Sequence, residues 1–240
     1  ISMFTATGTL IIKGKEGSGI IIDGGADYTW DAVTMSLTPG ADSKKVKTVI
    51  VNNGTLDLEY VTIQNADSSN DNAAAIDVST KKTTTLTRCT IRNCRARLGA
   101  AIMINGGAAK PDDSAVRGVD SVITQCVSGG NSTASANNVG GAIRTYGSVT
   151  SNLYLTGVTL SYNYAMRESN EYNNTLVHDG NGGALFWNGR GHEDTACYIE
   201  SCVFENNRSD DNGGAIKAQG SILFVKGQSG SGRPEKTVIR

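Results

Sequence analysis

Gly-Gly-Ala-Ile occupies Gly213 to Ile216 and returns at Gly140 to Ile143, with Gly-Gly-Ala-Leu at Gly182 to Leu185. Weaker copies stand at Gly99 to Ile102 and at Ala73 to Ile76. Ahead of most copies lies a β-prone triplet closed by Asn: Thr62-Ile63-Gln64-Asn65, Thr90-Ile91-Arg92-Asn93 and Val203-Phe204-Glu205-Asn206-Asn207. Short strand signals that recur in pairs every few tens of residues mark a repeat architecture. One coil cannot bury its own apolar side, so coils must stack into a continuous core. The expectation is an all-β solenoid forming a single domain over residues 1–240.

One coil is cleanest around residue 90. Thr84 to Thr87 reads as a strand, Cys89 to Ile91 as another, Asn93-Cys94 as the bend, and Ala100 to Ile104 as a third. Equivalent positions advance by 28 residues from Ile63 to Ile91 and by 44 from Leu160 to Phe204. The longer steps come from insertions at Asn105 to Val119, Ser128 to Val139, Tyr162 to Asn181 and Asn188 to Thr195. A solenoid tolerates these because a loop extrudes from a turn without disturbing the stack. At about 4.8 Å per layer, roughly seven or eight layers give a rod about 35–40 Å long. Tyr28 to Asp42, with Trp30 and Pro39, reads as a longer loop or irregular turn.

Strand alternation directs Ile102 and Ile104 inward, with Ile143 and Thr145, Leu185 and Trp187, and Ile216 and Ala218 above them. Trp187 then sits between small neighbours in adjacent layers. The same alternation turns Met103, Arg144, Phe186 and Lys217 outward, with Phe186 as the expected exposed anchor. Asn at the other bend suits the left-handed region and can ladder to the Asn one layer away. Tyr162-Asn163 and Ser128-Gly129-Gly130 interrupt the triplet pattern.

The chain carries five Cys. Cys89 and Cys202 hold the same place in the repeat and Cys126 falls close to it, as a stack of buried thiols would require. Cys89–Cys94 and Cys197–Cys202 leave local disulfides open, whereas no Cys-x-x-Cys or nearby His pair suggests a metal. A net charge of −1 gives no electrostatic reason to expect nucleic acid. No run approaches the roughly 20 apolar residues of a bilayer span, so direct membrane insertion of this segment is not expected. The chain opens within one strand signal and ends in another, Thr237 to Arg240. It is therefore expected to be part of a longer multidomain protein, with neighbouring domains of the same chain among its partners.

Phe204 to Ile216, which joins Phe-x-Asn-Asn to Gly-Gly-Ala-Ile, resembles the repeat of the polymorphic outer membrane protein adhesins. More widely, Val46 to Val225 resembles right-handed parallel β-helix surface proteins of the pectin-lyase-like superfamily. The resemblance implies a right-handed, single-stranded parallel β-helix with loop insertions, secreted or displayed at the cell surface. It also implies an adhesin or passenger that contacts a glycan or a cell-surface protein.

The same superfamily contains polysaccharide lyases and glycoside hydrolases, so catalysis is the alternative. Its candidate residues are Asp210, Asp211, His192 and Glu193, but Gly191-His192-Glu193 lacks the Gly-His-Gly pattern of the hydrolases. Asp112-Asp113, Asp179 and Asp194 read as solvated turn acids. For calcium, Asp179, Asn181, Asp211 and Asn212 stand at matching places before the Gly pair, where oxygens could line a hard-cation site. The regular nonapeptide of calcium-binding β-rolls is missing, and no other cofactor is expected. For ligand binding, Tyr162, Tyr164, Tyr172 and His178 lie in or beside one long loop, and Phe186 and His192 border the next. Tyr and Asn in long loops suit glycan or protein contact. The reading is a non-catalytic binding module, with a ligand-free stalk as the remaining alternative.

Overall fold

The computed structural model describes residues 3–41, 43, 48–68, 72–105, 115–129, 140–146, 152–169, 176–178, 180–189, 195–219, 222–227 and 236–240. Among them there is no helix. Three all-parallel, 7-stranded sheets run the length of a right-handed β-helix. Sheet A runs from Phe4–Ala6 to Ile216–Gln219, sheet B from Thr9–Lys13 to Ile222–Lys226, and sheet C from Ile20–Asp23 to Val238–Ile239. A fourth, 5-stranded sheet D joins Asp67–Ser68, Arg95–Ala96, Val127–Ser128, Tyr164–Ala165 and Arg208–Ser209. Each layer visits A, B and C in turn, layers 2 to 6 add D, and the chain then climbs to the next A strand.

Registers follow side-chain size and polarity column by column. Ile102 pairs with Ile143, Ile143 with Leu185, and Leu185 with Ile216, all directed inward. Trp187 is fully buried and pairs with Ala218, while Thr145 Oγ1 accepts a hydrogen bond from Asn188 N at 2.7 Å. The expected small–large–small stack around Trp187 is therefore present. In sheet C, Ile63, Ile91, Ile123, Leu160 and Phe204 form one buried column. Ile123 belongs to the strand Val122–Thr124, so an apolar triplet is present where Ser128-Gly129-Gly130 had seemed to replace it.

The bend from C to D is made by one left-handed residue per layer: Asn65 (φ 55), Asn93 (φ 52), Gln125 (φ 55), Tyr162 (φ 55) and Asn206 (φ 52). Asn tolerates this region best, yet Gln and Tyr occupy it where stacking demands it. Tyr162 thus continues the repeat rather than breaking it. The expected Asn ladder at this column is reduced to one long contact, Asn93 Nδ2 to Asn65 Oδ1 at 3.5 Å.

A stronger ladder lies one residue later, where the side chain points into the core. Asn163 Oδ1 accepts from Cys126 N (3.1 Å), and Asn163 Nδ2 donates to Ile123 O (3.0 Å) and Asn207 Oδ1 (3.1 Å). Asn207 Nδ2 in turn donates to Leu160 O at 2.8 Å. Below these asparagines the same column holds Cys94 and Cys126, one layer apart. Cys126 therefore stacks on Cys94, while Cys89 and Cys202 occupy the column of the B-to-C bend. All five thiols are buried and free, so neither local disulfide is formed. Burial pushes the Cys89, Cys126, Cys197 and Cys202 thiols above their ordinary range.

Tyr28 to Asp42 is more ordered than the sequence suggested. Tyr28–Asp31 and Ser36–Pro39 pair as an antiparallel hairpin. Asp31 Oδ1 caps its turn by accepting from Val33 N (2.8 Å) and Thr34 N (3.2 Å). Met35 and Leu37, with Tyr28 and Trp30, pack against Val127, Tyr164 and Met166, so the hairpin lies along sheet D as a strap.

Candidate functional site

Loop length differs sharply around the coil. In layers 2 to 6 the B-to-C and C-to-D bends keep their length, as the in-step registers of sheets B, C and D require. The variable segments border sheet A. One set leads into it, between Ser128 and Ile143 and between Ala165 and Leu185; the other leaves it, between Asn105 and Ala115 and between Asn188 and Ala196. Ser169 and Leu176 bound part of the longest segment, where Glu168–Ser169 pairs antiparallel with Leu176–His178.

The outward column of sheet A contradicts the expected exposed stripe. Met103, Arg144 and Phe186 do face outward, in register, but all three are buried, and Phe186 is 0% exposed. Leu98 and Ala73 pack over Met103, and the turn entering each sheet A strand folds back over the sheet. Gly182 shows why that turn needs glycine. It has φ 66, and a Cβ there would collide with the Leu185 carbonyl. The Phe186 ring lies between two cations, Arg144 and Lys217, each 5.9 Å from its centroid. Phe186 is therefore an internal pillar and not a ligand anchor.

Tyr164 is corrected in the same way. Its ring is buried beneath the strap, and its hydroxyl donates to Asp210 Oδ2 at 2.6 Å. Burial and this hydrogen bond push its pKa up to about 12. Tyr162 is 38% exposed on the C-to-D bend and remains available for contact. His178 lies on the described strand Leu176–His178, whereas Tyr172 and His192 fall outside the described residues.

The acids are arranged for structure. Asp210 Oδ2 also accepts from Arg167 N (3.0 Å), and Asp210 Oδ1 from Arg208 at 3.2 Å. The Arg208 guanidinium stacks 4.7 Å from the Tyr164 centroid. Asp211 faces Arg167 at 3.4 Å and accepts from Asn212 Nδ2 at 2.7 Å. The two described carboxylates of the catalytic alternative, Asp210 and Asp211, are thus paired with arginines, while His192 and Glu193 lie outside the described residues.

Asn181, Asp211 and Asn212 do converge, but not as a calcium cage. Asn181 Oδ1 accepts from Lys217 Nζ (2.7 Å), Asn212 Nδ2 (3.2 Å) and Asn212 N (3.3 Å). An ammonium therefore takes the amide oxygen that calcium would need, and the arginine faces the one described carboxylate. Calcium requires six to eight oxygens, and these residues do not fit it. Asp179, the remaining member of that set, lies outside the described residues.

Sequence reasoning missed the aromatic column on sheet B. Tyr154, Tyr198 and Phe224 occupy one outward register. Their rings stack at 5.1 Å and 4.8 Å, with interplanar angles of 3° and 6°. Arg117 caps the column 4.1 Å from the Tyr154 centroid. The available signal was an aromatic flanked by inward apolar residues in Leu153-Tyr154-Leu155, Cys197-Tyr198-Ile199 and Leu223-Phe224-Val225. Neighbouring rings and Arg117 occupy both faces of Tyr154 and Tyr198, so this column offers a ligand mainly ring edges and hydroxyls. Comparison with family models, curated proteins and solved structures finds no match for the chain.

Proposed function

We propose that the chain is a non-catalytic, extracellular β-helix module of the adhesin or passenger kind, which binds a glycan or a cell-surface protein through the loop-bearing borders of sheet A. The observation that supports this is the split between constant bends and variable segments. Stacking fixes the B-to-C and C-to-D sides, whereas the segments entering and leaving sheet A vary in length without disturbing the registers. Binding residues concentrate on loops held by a rigid scaffold. Tyr172, His178 and His192 are the side chains assigned to that side, while the exposed Tyr162 stands apart from them on the C-to-D bend. The pairing of Asp210 and Asp211 with Arg208 and Arg167 favours a structural role for these acids over the lyase or hydrolase alternative. The adhesin repeat resembled by Phe204 to Ile216 agrees with this reading.

A panel of plant, algal and host polysaccharides, scored for retention of the chain and for release of reducing or unsaturated ends, tests it. Retention on at least one glycan, or on a cell surface, without product release is the expected result. Product release abolished by His192→Ala or Asp211→Ala would make the chain an enzyme. Failure to be retained on any glycan or cell surface would reduce it to a stalk.

A further inference from the structure

Asn181 stands at the foot of the longest variable segment, immediately before the left-handed turn at Gly182 that opens the strand Leu185–Asn188. Asn212 holds the same place one layer on, and its carbonyl accepts from Gly182 N at 2.8 Å. Lys217 follows on the strand Ile216–Gln219, in register with Phe186. Three donors converge on one amide oxygen there. Asn181 Oδ1 accepts from Lys217 Nζ at 2.7 Å, from Asn212 Nδ2 at 3.2 Å and from Asn212 N at 3.3 Å. Only an oxygen can accept from an ammonium and a backbone N–H, which fixes the orientation of the Asn181 amide. Its Nδ2 is buried and has no hydrogen-bond partner among the described residues, and Asn181 as a whole is 0% exposed. Leaving such a group unsatisfied costs free energy.

The neighbours suit acyl transfer from this amide to the lysine. Two N–H donors on a carbonyl oxygen stabilise the negative charge that it gains when its carbon is attacked. Asp211 Oδ2 accepts from Asn212 Nδ2 at 2.7 Å, which leaves the other hydrogen of that amide for Asn181. The fully buried Phe186 ring flanks Lys217 Nζ, 5.9 Å from its centroid. Cγ of Asn181 lies only about 1.2 Å behind the oxygen that Nζ touches. Strand pairing holds amine and amide together, so their encounter carries little further entropy cost.

We propose that Lys217 and Asn181 form an intramolecular isopeptide bond, with Asn212 supplying the donors to the developing oxyanion. Lys217 gives one proton to solvent, and the free amine attacks Cγ of Asn181. The Nζ–Cγ bond forms and the Cγ–Nδ2 bond breaks. A second hydrogen of the amine passes to Nδ2, which leaves as ammonia and takes up a proton from solvent. An ammonium side chain and a primary amide thus become a secondary amide and one ammonium ion, with no oxidant or other reactant. The atom that leaves is the one that packing leaves unpaired. The bond ties the foot of the longest variable segment covalently to the next layer of sheet A, whatever ligand the module binds.

Intact mass spectrometry of the folded chain, with peptide mapping, tests this. The expected result is a chain lighter than its sequence by one ammonia, and a branched peptide that joins Lys217 to Asn181. Lys217→Arg keeps the positive charge but cannot form the bond, and has the full mass of its sequence. Asn212→Ala removes one oxyanion donor, and after cell-free synthesis it forms the bond at least about tenfold more slowly than the unaltered chain. A folded chain of full sequence mass would overturn the inference. So would a loss of ammonia that persists in Lys217→Arg, because a cyclic imide at Asn212-Gly213 also sheds ammonia and leaves the peptide unbranched. Bond formation as fast in Asn212→Ala as in the unaltered chain would overturn the role given to Asn212.

Discussion

Sheets A and B both carry an outward column that combines aromatic and basic residues, yet the two serve different ends. On A, Phe186 lies between Arg144 and Lys217 and has no exposed surface. On B, Arg117, Tyr154, Tyr198 and Phe224 form an open column, with Phe224 43% exposed. Strand alternation determines only that both columns point away from the core. What lies beyond the sheet determines whether they meet water, and over A that is the returning turn with its glycines. A cation beside a desolvated ring contributes more than one beside a ring in water.

The largest test of this contrast is Phe186→Ala. It empties a fully enclosed site and should cost about 3–5 kcal/mol of stability in urea unfolding. A loss as small as that of an exposed substitution would mean that the outer face of A is open after all. Lys217→Ala removes both a cation from the Phe186 ring and the donor to Asn181. Its expected cost is about 1–2 kcal/mol, read as a drop in thermal midpoint that Lys217→Arg partly restores. Tyr198→Ala on sheet B interrupts the exposed column and should cost only about 1 kcal/mol. Equal losses for Tyr198→Ala and Phe186→Ala would erase the distinction between the two faces.

Sheet D, covered by the strap, gives an effect invisible at neutral pH. Burial and the Asp210 hydrogen bond raise the folded Tyr164 pKa to about 12, so the neutral phenol is the form that the fold favours. That contribution is fully present below about pH 10, the ordinary tyrosine value, and is lost as pH rises towards 12. Tyr164→Phe should flatten this part of a stability-versus-pH curve. An unchanged slope would place the hydroxyl outside the native network.

The sequence disclosed what depends on alternation and repetition. The inward series Ile102, Ile143, Leu185 and Ile216, the seating of Trp187 beside Thr145 and Ala218, and the 28- and 44-residue steps are all present in the fold. It could not disclose exposure, because alternation says nothing of what lies beyond a sheet. A local turn folds back over the outer face of A, as Leu98 does over Met103, while the strap that brings Leu37 into one cluster with Tyr164 comes from a segment distant in sequence. Left-handed bends were legible as Asn but not as Gln125 or Tyr162, whose strain is sustained by the layers on either side. The inward Asn163–Asn207 pair was hidden because neighbouring Asn206 offered the more familiar reading. The Tyr154–Tyr198–Phe224 column was missed because its members lie far apart in the chain and only the registers bring them together.

The central functional claim is that contact is made at the loop-bearing side of the rod and not on the regular face of sheet B. Binding of the chain to a retaining glycan or cell surface should be compared with that of two variants, Tyr172→Ser with His192→Ala, and Tyr198→Ser. The account predicts that the loop pair loses binding by at least about tenfold, while Tyr198→Ser binds as the unaltered chain does. Loss of binding in Tyr198→Ser, with the loop pair unaffected, would contradict it.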